Sequence, residues 1–223
     1  MYCPSHFVEE RPEVMQQLMQ SHPLGLLVTH DGQEIEANPI PWLLDPDPDG
    51  GPGILRAHVA RANPVWQRTR CDVDSLVVFQ GPQHYVSPNW YPSKKLTHQE
   101  VPTWNYCMVQ GRGRLKVHED ADWLLDLVSR LSAEHEQAMH EQTQAQPWSV
   151  NDAPKAYIDK MLRAIVGIEL VLTSLTGKWK VSQNKKEADR QGVVAALQSL
   201  EPEQARAMAA QVAEPGASPR AAR

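Results

Sequence analysis

The segment VVFQGPQHYVSPNWYPSKKLTHQEVPTWNY, residues 77–106, carries the most informative residues of this chain. It holds two of the seven tryptophans and a Ser-Lys pair, Ser93-Lys94, that is suited to an anion. Flat aromatic faces beside a few polar groups are what a flat, phosphorylated heteroaromatic ligand requires, because binding pockets combine apolar walls with placed polar groups. A tryptophan-rich barrel core with proline-rich turns explains the same residues, since Trp and Tyr are ordinary core residues.

Outward from this segment, short apolar stretches alternate with turns rich in glycine and proline. Strands are predicted over residues 24–29, 34–44, 54–59, 75–80, 103–117 and 165–175, with Gly81-Pro82 ending the fourth strand before the sheet resumes at 84–87. Helices are predicted over residues 12–20, 63–68, 120–140, 155–162 and 187–200. The pattern predicts a mainly β chain with helices, of the α+β class, in which the helices cover the openings of a β-barrel.

The length of 223 residues suits one sizeable domain or a domain with an appendage. We predict a barrel domain over residues 1–190, which includes the helical elements within 120–162. Residues 191–223 are predicted to form a C-terminal helix and a disordered tail, because residues 201–223 repeat Ala, Glu, Pro and Arg.

Composition restricts the classes of function. The net charge of −5 argues against nucleic-acid binding through the whole surface, although two basic spots occur at residues 112–116 and 178–186. No apolar run is long enough to span a bilayer, and the N-terminus lacks a secretion signal. Three widely spaced cysteines favour a reduced cytoplasmic protein. His135 lacks the second histidine four residues later that a zinc protease needs, so no metal site is predicted, and catalytic residues cannot be named.

Three segments could hold an anion or reach a pocket. Arg61 lies between His58 and Asn63 at a predicted strand end and helix start, where an anion or a simple helix cap would fit. Ser93 and Lys94 could share a phosphate with a cation from another segment, or form a solvated turn. Residues 177–184 (GKWKVSQN) follow a core strand, so they could reach a pocket or form a polar hairpin.

Together these segments resemble the PaiB-like family, the FMN-binding negative transcriptional regulators of bacteria. The resemblance extends from residue 1 to about residue 190 and is highly specific as a set. Its matching segments are MYCPSHF (1–7), PLGLLVT (23–29), HVARANPVW (58–66), VFQGP (78–82), YVSPNWYPSK (85–94), VPTWNY (101–106) and GKWKVSQN (177–184).

The resemblance implies a split β-barrel of the pyridoxamine-phosphate-oxidase-like type and a homodimer with FMN at its interface. The FMN phosphate would then meet Arg61, Ser93 and Lys94, and the isoalloxazine would lie near Trp104 and Asn105. Lys178 and Gln183 would close the site. The complete predicted cofactor-binding set is His58, Arg61, Asn63, Ser87, Tyr91, Ser93, Lys94, Thr103, Trp104, Asn105, Lys178 and Gln183.

The function that follows from the resemblance is that of a dimeric, FMN-binding negative transcriptional regulator, which could act indirectly through a small molecule or a protein. One alternative is an FMN-dependent oxidoreductase, or a haem-binding or haem-degrading enzyme of the same fold with His6, His58 or His84 as ligands or proton donors. Another is a repressor that binds DNA directly, although no helix-turn-helix or other DNA-reading module is evident in the sequence.

Overall fold

The computed structural model describes residues 1–201 and 203–216, and within them the chain is of the predicted α+β class. The strands are β1 (Val8–Glu9), β2 (Leu24–His30), β3 (Ile35–Pro41), β4 (Leu43–Asp45), β5 (Ile54–Ala60), β6 (Ser75–Val86), β7 (Thr103–His118) and β8 (Ile165–Lys180). The helices are α1 (Pro12–Ser21), α2 (Val65–Arg68), α3 (Lys94–Thr97), α4 (Ala121–Thr143), α5 (Lys155–Arg163), α6 (Glu187–Gln198) and α7 (Glu203–Ala213).

The strands form one sheet of eight, in the order β3-β2-β6-β7-β8-β5-β4, with β1 paired to β8. The β2–β3 hairpin is antiparallel, with Leu24 opposite Pro41. Strand β5 runs antiparallel to the first half of β8, with His58 opposite Gly167. Because β8 is an inner strand, both of its neighbours fix its register.

The chain divides into two compact units. The first unit comprises Met1–His22, Val78–Gln110 and the described part of Leu175–Arg223, and the second comprises Pro23–Val77 and Gly111–Ser174. The candidate site described below is built from side chains of the first unit.

In the second unit, the long helix α4 packs its apolar stripe against the sheet. Leu127 and Leu131 pack with Leu43 of β4, and Trp123 joins the edge of this cluster. The side chain of Asp120 caps α4 by accepting a hydrogen bond of 2.8 Å from the backbone N–H of Trp123. Gly167 lies directly beneath the Trp123 ring, where any larger side chain would overlap it.

In the first unit, helices α6 and α7 bury one face each. The buried apolar residues of these helices are Val193, Leu197, Ala205, Met208, Ala209 and Val212. Polar groups fasten α7 as well, since Arg190 of α6 donates to the carbonyls of Val212 and Ala213 at 2.8 and 3.1 Å. The C-terminal helix is therefore an integral part of the first unit.

The structure corrects three details of the predicted elements. Strand β6 continues through Gly81 and Pro82 to Val86, and the glycine has a packing role: a Cβ there would lie 2.8 Å from Cδ1 of Leu18 in α1. The strand predicted over 34–44 is divided at Trp42 into β3 and β4. Strand β8 extends five residues beyond the predicted end, from residue 175 to Lys180.

The prediction of a disordered tail from Glu201 is wrong for Glu203–Ala213, which form α7. The physical reason is that alanines, Met208 and Val212 recur at helical spacing and bury a small apolar face. The remainder of the predicted tail, residues 217–223, lies outside the described residues. The predicted domain boundary at residue 190 falls within α6 and stays a prediction. No helix in the described ranges is both long and apolar enough to cross a membrane.

Candidate functional site

The last residues of β8 direct a buried tryptophan to one face of the strand and two lysines to the other. Alternate residues of a strand point to opposite faces. Trp179 is buried and donates its indole N–H to Oε1 of Gln211 in α7 at 3.0 Å. Lys178 and Lys180, which flank it, carry their ammonium groups to the N-terminal segment and to the start of β7. Residues 178–180 thus contain one residue that contacts helix α7 and two cationic side chains.

Lys180 is held by uncharged oxygen atoms. Its Nζ donates to Oγ1 of Thr103 and to the carbonyl oxygen of Trp104, both at 2.5 Å. Burial lowers the pKa of Lys180 below its ordinary value, and the positive charges of Lys178 and Lys185 lower it further. Both Lys178 and Lys185 therefore lie close enough to Lys180 to disfavour its positive charge, an effect that a bound anion would offset.

Aromatic side chains surround these cations. The Nζ atom of Lys178 lies 5.3 Å from the ring centroid of Tyr106 and 5.9 Å from that of Tyr2. Trp104 is 54% exposed and forms a T-shaped contact with the Tyr85 ring at a centroid distance of 6.1 Å. The exposed Tyr2 ring and the partly exposed Tyr106 ring thus offer an apolar surface next to the ammonium group of Lys178.

A second group of polar contacts is centred on Glu100, in the loop between α3 and β7. Its Oε2 accepts from Nζ of Lys185 at 2.5 Å, and its Oε1 lies 3.5 Å from Oγ of Ser93. The backbone N–H of Ser93 donates to the buried carboxylate of Asp189 at 2.9 Å. The Nζ of Lys185 also lies 4.9 Å from the ring centroid of the buried Tyr91. Burial raises the pKa of Tyr91, while Lys185 opposes the rise.

Several predicted site residues hold local structure in the first unit. The hydroxyl of Ser87 caps the turn at Pro88–Trp90, and Nζ of Lys94 donates to Oδ1 of Asn89. The buried Asn105 donates to the hydroxyl of Ser182 at 2.9 Å. The side-chain amide of Gln183 is bonded to the backbone at Trp179 and Val181, where it shapes the turn after β8. These contacts are structural, and the ligand-binding roles of the residues stay predictions.

The remaining three predicted residues, His58, Arg61 and Asn63, belong to the second unit. Arg61 donates to Glu119 Oε2 at 2.5 Å and to the carbonyls of Arg163 and Ile165 at 3.0 and 3.2 Å. Asn63 accepts from the N–H of Val65 at 2.9 Å and donates to Asn38 at 3.0 Å. Burial lowers the pKa of His58. Arg61 is thus engaged by a carboxylate and two carbonyls, and its predicted phosphate contact stays a prediction.

Sequence patterns did not identify Lys180, Lys185 and Glu100 as members of the candidate site. The two lysines were visible only as a basic spot, which a solvated face explains equally well. The available signal was the spacing of Lys178 and Lys180, since residues two apart on a strand share a face. Glu100 gave no signal, because its pairing with Lys185 joins positions 85 residues apart in the chain.

Comparison with known proteins places the chain in a family. It matches a family model described as "Putative FMN-binding domain" over residues 1–174. An uncharacterized protein of Emericella nidulans is 32% identical over 231 residues, which cover 90% of this chain and 91% of that protein. The protease synthase and sporulation protein PAI 2 of Bacillus subtilis is 28% identical over 209 residues, which cover 94% of this chain and 95% of that protein.

Among solved structures, the flavocytochrome Anf3 from Azotobacter vinelandii has a TM-score of 0.55 at 12% sequence identity. The likeness covers 78% of this chain and 69% of that chain. Similarity at this level shows the fold, and it confirms the predicted split β-barrel. The PaiB-like resemblance is also confirmed, and the match over residues 1–174 of the sequence shows that the chain belongs to the FMN-binding domain family.

Proposed function

We propose that this chain is a flavin-binding protein whose ligand is FMN, held in the first unit. One observation supports this most directly: the positive charges of Lys178 and Lys185 both act on the ammonium group of Lys180, and Lys178 lies beside the rings of Tyr2 and Tyr106. In the described part of the chain, the ion pair that involves these three lysines is the one between Lys185 and Glu100. A phosphate would supply a negatively charged partner for Lys178 and Lys180.

The residues present fit both halves of the ligand. Lys180, Lys185 and the Ser93 hydroxyl would hold the phosphate, because ammonium and hydroxyl groups are strong donors to phosphate oxygens. The half-exposed Trp104 would contact the isoalloxazine through its flat face. The family description and the flavocytochrome relative support a flavin, and bound FMN would supply redox chemistry that the protein places and shields.

The substitution Lys180→Met is expected to weaken FMN binding roughly tenfold to a hundredfold, because it removes a charged hydrogen-bond donor at nearly constant volume. The affinity of the wild-type protein should also fall as the pH rises through the lowered pKa of Lys180, since the neutral amine no longer attracts the phosphate. Titration of the protein with FMN, followed by the quenching of flavin fluorescence, measures both effects.

Lys186→Met is the matched control for this experiment. Lys186 is exposed and follows Lys185 directly, so its loss changes the net charge equally and should alter the FMN affinity less than twofold. Equal weakening by both substitutions would show that only net charge matters. Saturable quenching that Lys180→Met leaves unchanged would place the phosphate elsewhere in the chain.

We further propose that the protein is a cytoplasmic homodimer that regulates transcription negatively and indirectly. The relation to PAI 2, a protein named for protease synthesis and sporulation, supports a regulatory role. The three free cysteines suit a reducing compartment. The exposed apolar side chains of Tyr2, Tyr85, Leu96, Val101 and Trp104 support burial against a second copy.

If regulation is indirect, the purified protein should not shift promoter DNA in a gel at either 50 or 200 mM salt, with or without FMN. A protein that neutralises several DNA phosphates binds far more tightly at the lower salt concentration, so a shift confined to low salt would reveal direct electrostatic binding. Such a shift would contradict the indirect mechanism and favour a DNA-binding repressor. Light scattering on the same samples gives the mass and tests the homodimer.

A further inference from the structure

The carboxylate of Glu100 lies where donors suited to a phosphate converge. It accepts a hydrogen bond from Nζ of Lys185 at 2.5 Å, and it lies 3.5 Å from Oγ of Ser93. The side chains of Glu100 and Lys185 are only 16% and 27% exposed, so the pair is shielded from water more than a typical surface ion pair. An ammonium and a hydroxyl that hold a carboxylate would hold phosphate oxygens in the same way.

We propose that Glu100 is an internal occupant of the anion site, which an incoming phosphate must displace, and that it thereby restricts the site to doubly charged phosphate monoesters. The inference rests on the proposed function, because it concerns the same lysines. It assigns to Glu100 the role of a specificity-determining residue, one that competes with the ligand for Lys185 and Ser93.

The local structure allows this displacement. Lys185 and Ser93 are the side chains to which Glu100 hydrogen-bonds in the described ranges of the chain. Its neighbours Gln99 and Val101 are both exposed, and Val101 is 72% exposed. Movement of Glu100 towards solvent would therefore break these two hydrogen bonds. Lys185 would keep its position over the Tyr91 ring, 4.9 Å from the centroid.

Competition with Glu100 explains why the charge of the ligand matters. A monoanion would replace the carboxylate at Lys185 without adding charge to the cluster, so the exchange gains little. A phosphate monoester carries nearly two negative charges at neutral pH. It can pair with Lys185 and also with Lys180, whose ammonium group hydrogen-bonds to uncharged oxygens of Thr103 and Trp104.

Glu100→Gln tests the proposal, with inorganic phosphate as the probe. The glutamine keeps the size of the side chain and an oxygen for Ser93, but it no longer competes as an anion for Lys185. We expect phosphate to bind roughly tenfold more tightly, which corresponds to about 1.4 kcal/mol. The affinity is measured by calorimetry and by the broadening of the phosphorus NMR signal. FMN should gain a similar factor, whereas riboflavin, which lacks the phosphate, should bind unchanged.

Glu10→Gln is the matched control, because Glu10 is exposed in the same unit and its loss changes the net charge equally. Glu100→Asp is a second variant that keeps the charge, and its shorter reach should give an intermediate gain. Phosphate affinity that is unchanged, weakened or undetectable in Glu100→Gln would overturn the proposal, as would an equal gain in Glu10→Gln.

The same titrations separate this inference from the proposed function. If phosphate binds more tightly to Glu100→Gln but neither FMN nor riboflavin quenches, the flavin assignment fails while the role of Glu100 stands. If FMN binds and Lys180→Met weakens it, but Glu100→Gln has no effect on phosphate, the flavin assignment stands and the role of Glu100 fails.

Discussion

Replacement of Gln211 by methionine is expected to lower the free energy of unfolding by about 3 kcal/mol, because one buried and one partly buried hydrogen-bond donor would lose their acceptor. The Oε1 atom of Gln211 accepts from the indole N–H of Trp179 and from the backbone N–H of Gly216, both at 3.0 Å. Trp179 and Gln211 are only 3% and 5% exposed, so water cannot readily replace the lost acceptor. Methionine has a similar volume and leaves no large cavity. Urea unfolding followed by circular dichroism measures the loss.

A double-mutant cycle with Trp179→Phe isolates the hydrogen bond. Phenylalanine removes the indole donor, so Gln211→Met should be less destabilising in the Trp179→Phe background, by about 1 to 2 kcal/mol. A loss below about 0.5 kcal/mol in the wild-type background would contradict the prediction and would mean that water reaches the indole N–H.

The second large effect is expected for Gly192→Ala in helix α6, which should destabilise the protein by about 2 kcal/mol. Alanine favours a helix over glycine by about 1 kcal/mol. Here, however, a Cβ would overlap the carbonyl oxygen of Trp90 and approach Cδ of Pro92 at 3.0 Å. A backbone oxygen cannot rotate aside as a flexible side chain can, and overpacking of this kind typically costs about 1 to 3 kcal/mol or more.

The control for this substitution is Gln191→Ala, at the exposed neighbouring position of the same helix. It should change the free energy of unfolding by less than about 0.5 kcal/mol. Urea unfolding gives the midpoint for each variant, and the midpoints are comparable when the dependence of the unfolding free energy on urea concentration is the same. Increased stability of Gly192→Ala would show that helix propensity outweighs the overlap and that the Trp90 segment can move away from α6.

Much of the fold could be predicted from the sequence, because periodicity is a local signal. The apolar run of β8, the alternation of β7 and the stripe of α4 each gave the element type correctly, although β8 extends further than predicted. The misread elements depended on distant residues. Gly81 looked like a turn residue because its reason for being glycine, the side chain of Leu18, lies 63 positions earlier.

The candidate site was less predictable for the same physical reason. Sequence patterns indicated Lys178, Ser93 and Trp104 as candidates, because charged and aromatic residues cluster within short segments. These patterns could not show that Arg61 hydrogen-bonds to Glu119 and to two backbone carbonyls, or that Glu100 pairs with Lys185. Such pairings join residues that only folding brings together, so local composition does not encode them.

The position of β8 in the sheet also has a consequence for any shortened form of the protein. The family match ends at residue 174, inside β8, which runs to Lys180 between β7 and β5 and also pairs with β1. A fragment that ends there would leave β1 and the start of β7 with unpaired N–H and C=O groups. Unpaired strand edges form hydrogen bonds with other chains. Such a fragment is expected to aggregate on expression, whereas a chain that continues through α7 should remain monodisperse.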